Sequence, residues 1–231
     1  MVAAMAMFRK RLMRDPSPYL NQRITFLDQD MITALHNDYE LFSNNQKSFT
    51  LRNYFVEHVN GTAPFASTTN KKWFVNVDHL YACLFINGNH WVALHIDLPS
   101  RMINIYDSIP QLTTKNEMAK QCLFLRRMIP AMMSAMIPET VRKKSNAMLE
   151  LKRIKNIPLN KDHGDCAVYA LEYIECLALG TSFDGISDEN MLAIRIKLAA
   201  ELFDELRVLA GPHNHDPRAK ALAIPHLMDS T

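Results

Sequence analysis

Between Leu80 and Tyr106 the apolar, β-branched and aromatic residues fall into three runs, Leu80–Ile86, Trp91–Asp97 and Met102–Tyr106, separated by Asn87-Gly-Asn-His90 and by Pro99-Ser100. Short runs punctuated by turn residues predict three consecutive strands of one sheet. Elsewhere the spacing turns helical. Met31, Ile32, Leu35, Tyr39 and Leu41 predict a helix from Asp28 to about Phe42, with Asp28 as its cap. Phe49 to His58 fits a strand or a helix. Residues 116–137 are rich in Met and Leu and predict a helix kinked or broken at Pro130, and a further strand is expected over Glu150–Ile157. From Cys166 to Leu179 the pattern predicts a helix stopped by Gly180. Another runs from Asp188, a suitable N-cap, to Leu209, before Gly211-Pro212. Residues 1–22 show no clear periodicity and contain Asp15-Pro-Ser-Pro18. The expected organisation is therefore an irregular lead-in over 1–23, one folded domain over 24–210 and a loose tail over 211–231, without internal repeats.

Composition narrows the class. Of 231 residues 48% are hydrophobic, enough for a sizeable core, and 6 Gly and 11 Pro exclude collagen-like and low-complexity chains. The 26 basic side chains against 24 acidic ones leave a net charge of +2, too weak a field for non-specific nucleic-acid binding. No apolar run approaches the roughly 18–20 residues of a membrane span. Met1–Phe8 is apolar, but Arg9-Lys-Arg11 follows it, whereas a signal peptide carries its basic residues first. Cys83, Cys122, Cys166 and Cys176 show no CxxC spacing, so reduced thiols in a nuclear or cytoplasmic protein are expected, with no disulfide framework.

Candidate chemistry begins at Cys166, which follows His163-Gly-Asp165 in the first turn of a predicted helix. Unpaired N–H groups and the macrodipole favour negative charge there, and the thiolate is the nucleophilic form of cysteine. The alternative is a small buried hydrophobe. His90 opens a strand after a Gly/Asn turn, and Asp107 closes the next strand. Adjacent antiparallel strands can bring the start of one beside the end of the other, where an acid would orient the imidazole and the imidazole would hold a thiolate and protonate a leaving amine. Both also suit polar turns. His213, His215 and Asp216 in Gly211-Pro-His-Asn-His-Asp216 are better explained by a polar loop than by a metal, so no metal is expected. Arg142-Lys-Lys144 with Lys152, Arg153 and Lys155 suits a solvated face, and Met128–Met136 suits core packing or a flexible binding surface.

Asn89-His-Trp91, Ile105-Tyr-Asp-Ser108 and Gly164-Asp-Cys-Ala-Val-Tyr-Ala-Leu-Glu-Tyr-Ile174 resemble, in this order, the signatures of the Ulp1/SENP cysteine peptidases, over about residues 24–205. The wording of the last stretch is most similar to the plant branch, including domains carried by transposable elements. The resemblance implies an α+β papain-like, adenain-like fold: a central, mainly antiparallel sheet flanked by helices. It implies His90 as base, Asp107 as orienting acid and Cys166 as nucleophile. The reaction is then hydrolysis, through an acyl-enzyme thioester, of a peptide or isopeptide bond after the C-terminal glycine of a ubiquitin-like modifier resembling SUMO. The modifier or its conjugate is the implied partner, with no cofactor. Trp91 matches the tryptophan that walls the family's narrow channel for a Gly-Gly tail, or else fills core; Phe26 stands where the family often has a second channel tryptophan. Two positions depart. Asn160 stands where the family has an oxyanion-donating Gln, one methylene shorter, and Ala167 stands where Gly is usual. A silenced binding module and an acyltransferase are the rival expectations.

Overall fold

The computed structural model describes residues 1–46, 48–161 and 164–209. Its centre is a five-stranded sheet in the order β1 (Ile24–Phe26), β2 (His79–Ile86), β3 (His90–Asp97), β4 (Met102–Tyr106) and β5 (Glu150–Arg153). The β2–β3–β4 meander is antiparallel, and β1 and β5 join its two sides in parallel. Asn87 and Gly88 close the β2–β3 hairpin at φ of +52° and +73°, a region that Asn and Gly enter at low cost. The turn sets His90 opposite Ile86. Register at β3–β4 then places Tyr106 beside Ala93, so the chain leaving β4 at Asp107 returns to the beginning of β3.

The period of two along the strands divides the core. Leu80, Ala82, Leu84, Val92, Leu94, Ile96, Ile103 and Ile105 point to one face, covered by α2 (Gln29–Asn44), α3 (Asn53–Asn60) and α5 (Leu123–Met136). Tyr81, Cys83, Ala93 and Tyr106 point to the other, where α1 (Val2–Leu12) and α6 (Cys166–Leu179) pack and α7 (Met191–Leu209) closes over both helices. Helices on both sides of a mixed sheet, antiparallel at its centre and parallel at both edges, make an α+β fold. The Asp28 carboxylate accepts the Met31 N–H at 2.7 Å as the N-cap of α2, and Gly180 ends α6 at φ +73°.

Several elements depart from the sequence pattern. The first residues form α1, not an irregular lead-in. Ala4, Met5, Met7, Phe8 and Leu12 are all buried, because β1 covers one flank of α1 and α7 another, so the helix lacks the polar stripe that periodicity detects. The ambiguous stretch becomes α3, capped by Gly61 at φ +73°. The break between α4 (Lys115–Gln121) and α5 falls at Cys122, and Pro130 lies inside α5. β5 ends at Arg153, four residues before the expected Ile157. α7 begins at Met191 and not at Asp188, whose carboxylate accepts instead from the Lys161 N–H at 2.9 Å and the Tyr169 hydroxyl at 2.7 Å. His213, His215 and Asp216 lie outside the described residues; among those described, no three His, Cys, Asp or Glu side chains are grouped to hold a metal. No described helix is long and apolar enough to cross a membrane.

Candidate active site

His90 and Asp107 meet in the interior, at the edge defined by the start of β3 and the end of β4. His90 Nε2 donates to Asp107 Oδ1 at 2.8 Å, and both side chains are fully enclosed. The same oxygen accepts the Ile109 N–H at 3.0 Å, which fixes the carboxylate against the chain that follows it. Because an ionised carboxylate only accepts, the Nε2 proton belongs to the imidazole, and a neutral ring then carries its lone pair on Nδ1. Nδ1 is buried and has no partner among the described residues.

The second Asp107 oxygen faces Arg153, whose Nη2 lies 3.4 Å from Oδ2. That guanidinium also donates to the Pro110 carbonyl at 3.1 Å and the Thr113 carbonyl at 2.8 Å, clamping the turn beyond the aspartate. Arg153 was grouped with a solvated basic face on sequence. The signal available was its position two residues after Leu151, on the inward row of β5; Leu151 aligns with Ile103 and Arg153 with Ile105.

Cys166 is the first residue of α6, and α6 packs against β3, the strand that begins with His90. Its side chain is half-buried, and no hydrogen bond joins it to His90. The other cysteines differ in environment. Burial pushes the Cys83 and Cys122 thiols up to about 12, and burial is the largest influence raising that of Cys176. Asp165, which precedes Cys166, pairs with Arg195 of α7. Ala167 is half-buried.

Asn160 sits beside this pair by a backbone link: its N–H donates to the Ser108 carbonyl at 2.9 Å, next to Asp107. Two tyrosines of α6 hold its segment, Tyr169 donating to the Leu159 carbonyl at 3.2 Å and Tyr173 to that of Pro158. The Asn160 side chain is 1% exposed, and neither carboxamide atom has a partner among the described residues. A buried, unsatisfied amide costs stability, so its position calls for a reason outside packing.

The two expected channel residues separate. Trp91 is half-buried and lies against Phe85 across the hairpin, ring centroids 4.8 Å apart, with Phe85 42% exposed; it borders the surface. Phe26 does not. At 2% exposure it is wedged among Phe8, Tyr19 and Tyr81 at 5.5, 5.2 and 5.8 Å, and a ring so enclosed touches no groove. The expectation for Phe26 fails because α1 covers the face on which it lies. His95 accepts from Asn104 and contacts His79 at 3.1 Å, and burial, then His79, lower its pKa to about 4.

Comparison with known proteins bears on the family and the fold. The family model for the Ulp1 protease family, C-terminal catalytic domain, matches residues 1–209, which takes in α1. Sentrin-specific protease 5 of Mus musculus is 26% identical over 195 residues, covering 81% of this chain and 23% of that protein, and the Homo sapiens protein is 25% identical over the same length. The chain thus spans about a quarter of the length of the curated relatives it matches. Among solved structures, the C-terminal Ulp1 protease domain in complex with Smt3, the yeast ortholog of SUMO, has a TM-score of 0.54 at 13% identity, covering 89% of this chain and 76% of that one. The catalytic domain of the Chaetomium thermophilum Ulp1-like SUMO protease has a TM-score of 0.53 at 14% identity, covering 86% and 68%. Both share the fold.

Proposed function

The chain belongs to the Ulp1 protease family, and from that premise we propose that it is a thiol protease that cleaves the peptide or isopeptide bond after the C-terminal glycine of a SUMO-like modifier. The observation that carries the reading is the buried His90–Asp107 pair with Nδ1 left unpartnered, on the strand against which the Cys166 helix packs.

In this mechanism Asp107 holds the imidazole with its proton on Nε2, and Nδ1 accepts the Cys166 proton. The thiolate attacks the glycine carbonyl carbon, forming the C–S bond and moving the carbonyl electron pair onto oxygen. The Asn160 carboxamide N–H and the Cys166 backbone N–H stabilise that oxyanion. When the oxyanion collapses, the C–N bond breaks, and the leaving amine takes the proton from His90 and departs. A thioester remains. Water, losing a proton to His90 Nδ1, attacks the thioester; the sulfur leaves and recovers that proton, and the modifier is released with a free carboxylate. The Trp91–Phe85 pair forms one wall of the approach for a Gly-Gly tail, whose lack of side chains lets a flat aromatic surface close on it.

The test is covalent capture by a SUMO-like protein bearing a C-terminal vinyl sulfone. Wild type forms a thioether adduct seen as a mass increase, and Cys166→Ala forms none. Equal labelling of Cys166→Ala would move the nucleophile elsewhere. Tight but non-covalent association by wild type would favour a binding module instead.

A further inference from the structure

β5 is the last strand of the sheet, with β4 on one side and no described strand on the other. Along a strand, successive residues turn their N–H and C=O groups to opposite sides. Glu150 and Ile154 donate inward, to the Arg101 and Ile105 carbonyls at 3.0 and 2.9 Å, so the amides of Leu151 and Arg153 face outward. Open edges of this kind are templates for an added strand.

A groove of about 690 Å³ runs along this strand, lined by β5, by Ile105 of β4, by Arg126 of α5 and by Lys115, Met118 and Ala119 of α4. The size falls within the roughly 300–1,000 Å³ of sites that bind ligands rather than of surface dimples. Met118 and Leu151 give it an apolar lining, and Lys115, Arg126, Lys152 and Lys155 face a single lining carboxylate, Glu150. Lys115, Lys152 and Lys155 make no ion pair or side-chain hydrogen bond among the described residues. Lysines on an edge strand normally deter pairing with another sheet, because they repel one another and stay hydrated. A segment that brings carboxylates reverses that effect.

We propose that this edge docks an extended acidic segment of a partner protein, which adds a strand to β5. Its backbone pairs with Leu151 and Arg153, one row of side chains places an apolar group over Met118 and Leu151, and its carboxylates meet Lys115, Lys152 and Lys155. Backbone pairing favours a peptide over a nucleic acid, whose phosphates would use the cations but leave the outward amides unpaired. The net charge of +2 agrees, since it gives the chain no broad positive field for a nucleic acid.

The experiment is fluorescence anisotropy of the whole chain with a labelled peptide of alternating acidic residues and valine. It reads binding alone, so its outcome is separate from that of the protease reading. Saturable binding is expected, weakened about tenfold by Lys152→Glu with Lys155→Glu, each charge reversal contributing in the range of exposed ion pairs. N-methylating every second peptide amide should abolish binding in one phase and spare it in the other, because only alternate amides face β5. If the double variant loses its circular dichroism melt, Lys115→Glu on the opposite wall serves instead, with an expected weakening of about threefold. Equal binding of both N-methylated phases, equal affinity for a single-stranded DNA of the same charge, or no saturation up to about 1 mM would overturn the proposal.

Discussion

Two buried clusters in this fold pair a histidine with an aspartate and an arginine: His90, Asp107 and Arg153 where β3 begins and β4 ends, and His58, Asp28 and Arg9 where α1, α2 and α3 meet. In composition they are the same. They differ in what is left over after the contacts are made. His58 donates from Nδ1 to the Tyr54 carbonyl at 2.9 Å, and its Nε2 makes no hydrogen bond among the described residues but lies within ion-pair reach of Asp28 Oδ2 at 3.6 Å, so both ring nitrogens face oxygen acceptors. Asp28 is occupied as a helix cap, and Arg9 is tied to Ser67 Oγ at 2.9 Å and the Phe26 carbonyl at 3.0 Å. No cysteine stands in that cluster. His90, by contrast, makes its hydrogen bond to Asp107 and leaves Nδ1 with no partner among the described residues, on the strand that packs against the helix beginning with Cys166. A histidine–aspartate contact does not by itself make a base; a ring nitrogen that faces no carboxylate and can still accept a proton is also needed.

The comparison is broken most directly by removing each histidine in turn. His90→Ala should lower kcat/KM on a SUMO-like C-terminal fluorogenic amide by about 10³-fold or more, since the proton path passes through that ring. His58→Ala should leave kcat/KM within about twofold and show its effect in Tm. If the two variants lose activity equally, the distinction drawn from the free Nδ1 is wrong.

The same contrast shows what the sequence carried. The strands from His79 to Tyr106 and the helix from Cys166 to Leu179 were legible because their periodicity is short-range and their stops, Asn87-Gly88 and Gly180, have a conformational cause. His90, Asp107 and Cys166 were picked out because each sits at the end of such an element. The His58 cluster was not, since it joins three helices whose mutual placement no local pattern encodes. Arg153 was missed for a related reason: a charged residue near the end of a short strand resembles a solvated face until the neighbouring strand supplies a buried carboxylate. α1 was missed because it is buried on more than one side. Phe26 was misjudged in part as a consequence, since Phe8 of α1 encloses that ring together with Tyr19 and Tyr81.

Replacing the arginines sharpens the contrast at smaller magnitude. Arg153→Met removes the cation beside Asp107 and both carbonyl contacts that hold the turn, so the expected result is a roughly tenfold drop in kcat with little change in KM, because orientation of the imidazole matters most in the transition state. Arg153→Lys, which retains the charge without the fork, should recover part of the loss. Arg9→Met should lower Tm and leave kcat unchanged. A matching fall in kcat for Arg9→Met would mean that the measurements report general loosening of the fold.

The smallest expected effect concerns Asp28 and its pH dependence. Burial opposes ionisation of this carboxyl, but the contacts from His58, the Met31 N–H and Arg9 outweigh it and hold its pKa below the usual carboxylate range. A group whose pKa is lower folded than unfolded binds protons more readily in the unfolded chain. Its contribution is therefore fully present above the ordinary range and is lost as pH falls through the folded value. Asp28→Asn retains a side-chain oxygen that can still cap α2, so the difference isolates the charged contacts. At pH 7 the wild type should melt about 2–4 °C above Asp28→Asn, which corresponds to about 1 kcal/mol in a chain of this size. That gap should stay constant down to about pH 5 and narrow below about pH 4. Calorimetric melts of the two proteins across that range check it. A gap that widens on acidification would reverse the sign of the linkage and remove the charged Asp28 from the account of how α1, α2 and α3 are held together.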